Sequence, residues 1–248
     1  MNDKEINKEL RSLTGSALDN FFVSDYEKAV LDLKSAEMLD PENPEILHNL
    51  TVCYARMGLH QTAIKYAQKL MEAESGYIDT SAVKKMLSFS YISVKDYGKG
   101  LALLEEILKE SPEDEAALSM KGYCLEKAGS YKEAAKVYRK VLAVNPDNDS
   151  AMNSIAYLAV KSDGDRKEAM AYISAALKAK PANPAYLDTM GCILMKSGDL
   201  KRAEAAFKKA LKFLPGEHEI IQNIKELEKL KKSFRQVERP DAQQKEKK

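Results

Sequence analysis

The chain has 248 residues, a net charge of +1, 44% apolar and 31% charged residues. That composition supports a substantial core, and near-neutrality excludes a general nucleic-acid binder, which carries a basic face. No apolar run approaches the roughly 20 residues of a membrane span. The polar start MNDKEINKEL also lacks a signal segment, so a cytoplasmic protein is expected.

Windows rich in Ala, Leu, Glu and Lys read as helix throughout, with no alternating strand and no hairpin dipeptide between apolar runs. Prolines supply a ruler. Pro112, Pro146, Pro181 and Pro215 are spaced by 34, 35 and 34, and Pro41 stands two periods and three residues before Pro112. After an N-terminal extension at 1–9, the period divides the chain into units 10–43, 44–80, 81–114, 115–148, 149–183 and 184–217. The second unit carries three extra residues near SGYIDT, and the fifth carries one in KSDGDRK. A helix over 218–236, with Ile221, Ile224, Leu227 and Phe234 on one stripe, is expected to close the array as a polar-backed cap. The tail 237–248 is expected to be disordered.

Each unit reads as helix, short turn, helix. Its eighth position is Ala17, Thr51, Ser88, Gly122, Ala156 or Gly191, and its twentieth is Ala29, Ala63, Gly100, Ala134, Ala169 or Ala203. Small residues in both columns predict a close helix crossing. Gly191 sits inside the apolar stretch YLDTMGCILM, where a helical glycine costs about 1 kcal/mol relative to alanine. Close packing against the second helix of its own unit, near Phe207, is expected to offset that cost. Asn43-Pro44 and Asn183-Pro184 mark helix starts, and the proline column marks helix stops.

In the last unit, Leu187, Met190, Gly191, Leu194, Ala203, Phe207, Ala210 and Pro215 follow the pattern of one known repeat. Over 10–217 the sequence resembles the tetratricopeptide repeat (TPR) family. It departs in lacking any tryptophan, in Lys84 and Lys121 at apolar positions, and in Asn20 at an aromatic one. The resemblance implies an all-α, right-handed α-α superhelix, a solenoid of about six helix-turn-helix repeats with a C-terminal capping helix. It also implies a concave groove lined by positions 2, 5, 9, 12 and 13 of each first helix.

Those positions hold Phe89, Tyr123, Tyr157 and Cys192 at position 9, Ile92 and Met195 at position 12, and Lys85, Asn153 and Asp188 at position 5. An aromatic and aliphatic floor with amides and charges beside it suits a peptide or helix from another protein. The alternative is that these side chains pack on the neighbouring repeat and only stabilise the stack. The carboxylate clamp of chaperone-binding relatives is not matched, because Lys85 is followed by Phe89 where the clamp has asparagine.

Catalytic and metal chemistry find no support. Cys53, Cys124 and Cys192 are far apart and suit buried, reduced thiols. Cys192, at a groove position, has no nearby His or Asn partner. His48, His60 and His218 are scattered, and neither a paired-cysteine motif nor a phosphate loop is present. Acid pairs such as Glu105-Glu106 read as solvated surface. The basic run KLKKSFR (229–235) reads as a solubilising cap or as a contact for an acidic partner or a membrane surface.

The expected function is a non-enzymatic protein–protein interaction scaffold without cofactor or metal, with no nucleic-acid partner and no membrane span. Self-association through the terminal units, where Phe21, Phe22 and Val23 lie, is the competing reading. Single-stranded RNA binding is a weaker third, disfavoured by the absence of a basic groove stripe.

Overall fold

The computed structural model describes residues 2–73 and 79–237. Among them the regular structure is entirely helical: α1 (Asp3–Phe22), α2 (Tyr26–Leu39), α3 (Pro44–Arg56), α4 (His60–Glu72), α5 (Thr80–Ser93), α6 (Tyr97–Glu110), α7 (Glu115–Lys127), α8 (Tyr131–Val144), α9 (Asp149–Lys161), α10 (Arg166–Ala179), α11 (Pro184–Lys196), α12 (Leu200–Phe213) and α13 (His218–Val237). The expected insertion near residues 75–78 and the tail from 238 onward lie outside the described residues.

Local chemistry accounts for the helix ends. Side chains of Asn43, Asp79, Asp114, Asn148 and Asn183 cap α3, α5, α7, α9 and α11 by accepting backbone N–H groups of the first turn. Asp25, Asp96, Asp165 and Asp199 do the same for α2, α6, α10 and α12. Pro41, Pro112, Pro146, Pro181 and Pro215 each directly follow the C-cap of α2, α6, α8, α10 or α12, where a residue without an N–H cannot continue the helix. α1 already begins at Asp3, ahead of the expected start at residue 10. Asn2 and Glu5 form a reciprocal capping box there, with both bonds at 3.0 Å.

The contacts divide the chain into two compact units, Met1–Ala128 and Gly129–Lys248. In the first, α1 packs on α2, α3 on α4 and α5 on α6, and successive pairs join through α2–α3, α4–α5 and α6–α7. Its core holds Leu33, Leu47, Leu50, Leu104 and Ile107, all at most 2% exposed. In the second, α9 packs on α8 and α10, α11 on α10 and α12, and α13 closes against α12 and α11. Ile155, Leu158, Ile173, Ile193 and Phe207 fill that core. Contacts between near neighbours in the chain are the signature of stacked repeats.

The small columns are buried. In the first unit Ala17, Ala29, Thr51, Ala63, Ser88, Gly100 and Gly122 lie inside, and in the second Ala134, Ala156, Ala169, Gly191 and Ala203. A methyl on Gly191 would stand 2.4 Å from Phe207 Cε1, so the expected close crossing of α11 and α12 is present.

Glu105 and Glu106 are exposed, as expected of surface acids. Glu105 pairs with Lys121 of α7 at 3.0 Å, and Glu106 with Lys84 of α5 at 2.9 Å. The two lysines at apolar positions are thus answered by adjacent acids on α6. Two sequence expectations need correction. First, α13 buries Ile220 and Leu227 with Ile224 beside them, while Phe234 is 55% exposed. Counting back from Leu227 at the helical period selects Ile220 rather than Ile221. Second, Cys192 is buried, as described below.

Candidate functional site

The first unit offers α5 and α7. Phe89 is 50% exposed, and its ring stands edge-on to His60, the first residue of α4, with centroids 5.6 Å apart. Tyr123 is 39% exposed and meets Tyr97, the first residue of α6, in the same way at 6.4 Å. Position 9 therefore does two things in consecutive repeats: one edge rests on the preceding repeat's second helix and the remainder faces solvent. Lys127 Nζ lies 4.9 Å from the Tyr123 centroid and 3.4 Å from Glu126 Oε1.

Lys85 is engaged within the fold. Its ammonium bonds Asp114 at 2.8 Å, and Asp114 also caps α7 by accepting from Ala117 N–H. Burial pushes the Asp114 carboxyl up, but the bonds from Lys85 and the backbone outweigh it and hold it below the usual carboxylate value. Ile92 is partly buried against the Leu104–Ile107 core.

The second unit offers α9 and α11. Asn153, Tyr157 and Lys161 are four residues apart and share one face of α9. Lys161 Nζ stands 5.0 Å from the Tyr157 centroid, repeating the Tyr123–Lys127 arrangement. Asn153 Oδ1 is buried without a hydrogen-bond partner within the described residues. Met195 is partly buried on α11.

Asp188 and Cys192 are not open groove residues. Asp188 is 8% exposed and receives Asn223 Nδ2 of α13 at 2.9 and 3.1 Å on its two oxygens. Cys192 is 9% exposed in the cluster that includes Leu227 of α13. The last repeat's face is covered because α13 stacks on α11 as a further first helix would. Burial raises the Asp188 carboxyl to about 6, the Asn223 bond opposes that, and Glu219 reinforces it. Burial drives the Cys192 thiol up to about 12, and Cys53 and Cys124 to about 11.

A polar cluster in the first unit went unanticipated. Glu37, 8% exposed, accepts from Tyr66 Oη at 3.1 Å and from Lys34, with Lys69 at 3.5 Å, while Tyr54 stacks on Tyr66 at 5.4 Å. The signal was available: Glu37 aligns with Met71, Leu108, Leu142, Leu177 and Leu211 in the other units. Among the described residues, no group of His, Cys, Asp and Glu is placed to hold a metal. No described helix is long and apolar enough to cross a membrane.

The tetratricopeptide repeat family matches this chain at residues 91–156, 125–193 and 184–217. Among solved structures, PilF of Pseudomonas aeruginosa is similar at 17% identity and a TM-score of 0.71, over 90% of this chain and 99% of that one. PilW, described as a widely conserved type IV pilus biogenesis factor, is similar at 16% identity and a TM-score of 0.72, over 90% and 100%. YrrB, described as a TPR protein with an unusual peptide-binding site, is similar at 16% identity and a TM-score of 0.58, over 78% and 97%. No curated protein sequence matches.

Proposed function

We propose, since the chain belongs to the tetratricopeptide repeat family, that it is a non-enzymatic scaffold that binds a segment of another protein on the exposed faces of its first helices. One observation carries the reading: Phe89 and Tyr123 occupy the same position in consecutive repeats and are left 50% and 39% exposed. Aromatics propped on one edge and open on the other give contact area at low entropic cost, as hot-spot residues do. The cation Lys161 beside Tyr157 favours a ligand with a carboxylate near its apolar anchor. A peptide is also the ligand class named for YrrB, although that likeness extends to the fold alone.

Affinity capture from source cells tests the proposal. Wild type is compared with a Phe89→Glu, Tyr123→Glu variant and separately with Tyr157→Glu, once circular dichroism shows equal helicity. A partner held by wild type and lost by the first variant is the expected result. Retention by both folded variants overturns the reading. Asp188 and Cys192 are left out because α13 covers them.

A further inference from the structure

Two surface features remain outside that reading, and each lies within one unit. The first is a knob. Phe22 and Val23 end α1 with 80% and 74% of their surface exposed, and Leu18, one turn back, is 38% exposed. The knob is rigid. Phe21 props Phe22 edge-on at 6.3 Å, and Phe21 is itself packed on Tyr26 and the core. The following turn is locked with Ser24 at φ 64°, its N–H donating to Phe21 O and that of Asp25 to Asn20 O, both at 2.9 Å. Asp19 and Glu27 flank the knob and are exposed.

The second feature is a groove of about 420 Å³ between α10, α11 and α12. Leu177, Leu187, Met190 and Leu194 form its floor, with Arg202 and Lys209 among its lining residues. Both cations are exposed on α12, Arg202 with Asp199 3.4 Å away, and the helix also carries Lys201, Lys208 and Lys212. The acid on that helix, Glu204, is engaged by Lys208 and Lys231. The groove is therefore apolar with a positive rim, and the knob is apolar with a negative one.

We propose that the groove takes the Phe22–Val23 knob of a second copy of this chain. Phe22 is exposed within its own chain, so its occupancy of a groove requires another molecule. A knob on one surface and a groove on a different one make a heterologous contact, which propagates head to tail into rings or filaments. Floor contacts supply affinity, and the opposed rims of Asp19 and Glu27 against Arg202 and Lys209 supply register and salt dependence.

Sedimentation velocity of the full chain across concentration and salt tests this. The expected result is an average size that keeps rising with concentration and falls as salt is added. Phe22→Asp removes the knob. Arg202→Glu with Lys209→Glu reverses the rim. All three residues are exposed, so helicity is expected to be unchanged. Each variant alone is expected to weaken association at least about 30-fold, the scale of a hot-spot residue. Mixed together, they retain one intact knob and one intact groove between them and are expected to stop at a 1:1 pair. Adding Asp19→Lys and Glu27→Lys to the rim variant is expected to restore growth. A wild type that stays monomeric at every concentration overturns the proposal, even if an acidic apolar peptide enters the groove. Association that survives both variants, or a mixture that fails to pair, also overturns it. Phe89 and Tyr123 are untouched in these variants, so capture of a foreign partner succeeds or fails independently.

Discussion

Gly191 and Phe207 are packed so closely that a β-carbon on Gly191 would lie 2.4, 2.6 and 2.8 Å from three atoms of the phenylalanine ring. Phe207 is fully buried. Gly191→Ala gains about 1 kcal/mol of helix propensity but overpacks the crossing, which costs about 1–3 kcal/mol. The expected net effect is a loss of stability, seen as an earlier urea midpoint by circular dichroism. Phe207→Leu in the same chain is expected to recover part of that loss, so the two substitutions are non-additive. An alanine variant as stable as wild type would show that the crossing is looser than the 2.4 Å approach implies.

The turn between the two helices of a repeat demands one left-handed residue. Gly58, Gly129 and Gly198 meet the demand at φ 74°, 76° and 83°, but Lys95 does so at φ 65° with a side chain in place. Left-handed backbone costs an L-residue about 1–2 kcal/mol, part of which glycine returns as unfolded-state entropy. Lys95→Gly is expected to stabilise the chain by about 0.5–1 kcal/mol, and Gly198→Ala to destabilise it by a similar amount. Thermal melts of the two variants beside wild type check the opposite signs.

Periodicity made most of the fold legible. The proline column, the two small columns and the Asn-Pro starts are local features, and each acts within one repeat. What was hidden depends on partners outside the repeat. Asp188 and Cys192 have groove spacing along α11, yet α13 covers them, and no periodicity within α11 reports on a later helix. His60 and Tyr97 as supports for Phe89 and Tyr123 were likewise invisible, because each contact joins one repeat's first helix to the previous repeat's second. Glu105 and Glu106 are surface acids as their sequence suggests, but their pairing with Lys121 and Lys84 joins α6 to α7 and α5 and is not visible in α6 alone. Glu37 was the opposite case, since its place in an otherwise apolar column could have flagged a buried pair.

The Glu37 cluster is expected to behave as a unit. Burial pushes the carboxyl up, but hydrogen bonds from Lys34 and Tyr66 outweigh it and keep Glu37 below the usual value. Tyr66→Phe removes one of those donors without altering the stack on Tyr54, and is expected to cost about 1–2 kcal/mol. Replacing Glu37 with leucine, as the column has it elsewhere, is expected to cost less than Glu37→Ala, because it fills the site. Denaturant midpoints of the three variants decide the order. A leucine variant weaker than the alanine one would mean that a branched apolar side chain does not fit the space the glutamate leaves.

Asp188 gives the chain a pH dependence opposite to that of its paired carboxylates. Its folded value is raised from 3.8 to about 6, so between those values the folded state holds a proton that the unfolded state has released. Stability from this group is greatest at low pH and is lost as pH rises through about 6, because ionisation then occurs beneath α13 beside Glu219. Glu204 has the reverse sign: bonds from Lys208 and Lys231 lower it to about 2, and its contribution is lost only in strong acid. Asp188→Asn keeps a partner for Asn223 and removes the titration. The variant is expected to gain on wild type by about 2 kcal/mol between about pH 4 and pH 7, given about 1.4 kcal/mol per pKa unit. Comparing the two proteins at each pH cancels every other carboxylate. A stability gap that stays constant across that range would place Asp188 in contact with water and loosen α13 from α11.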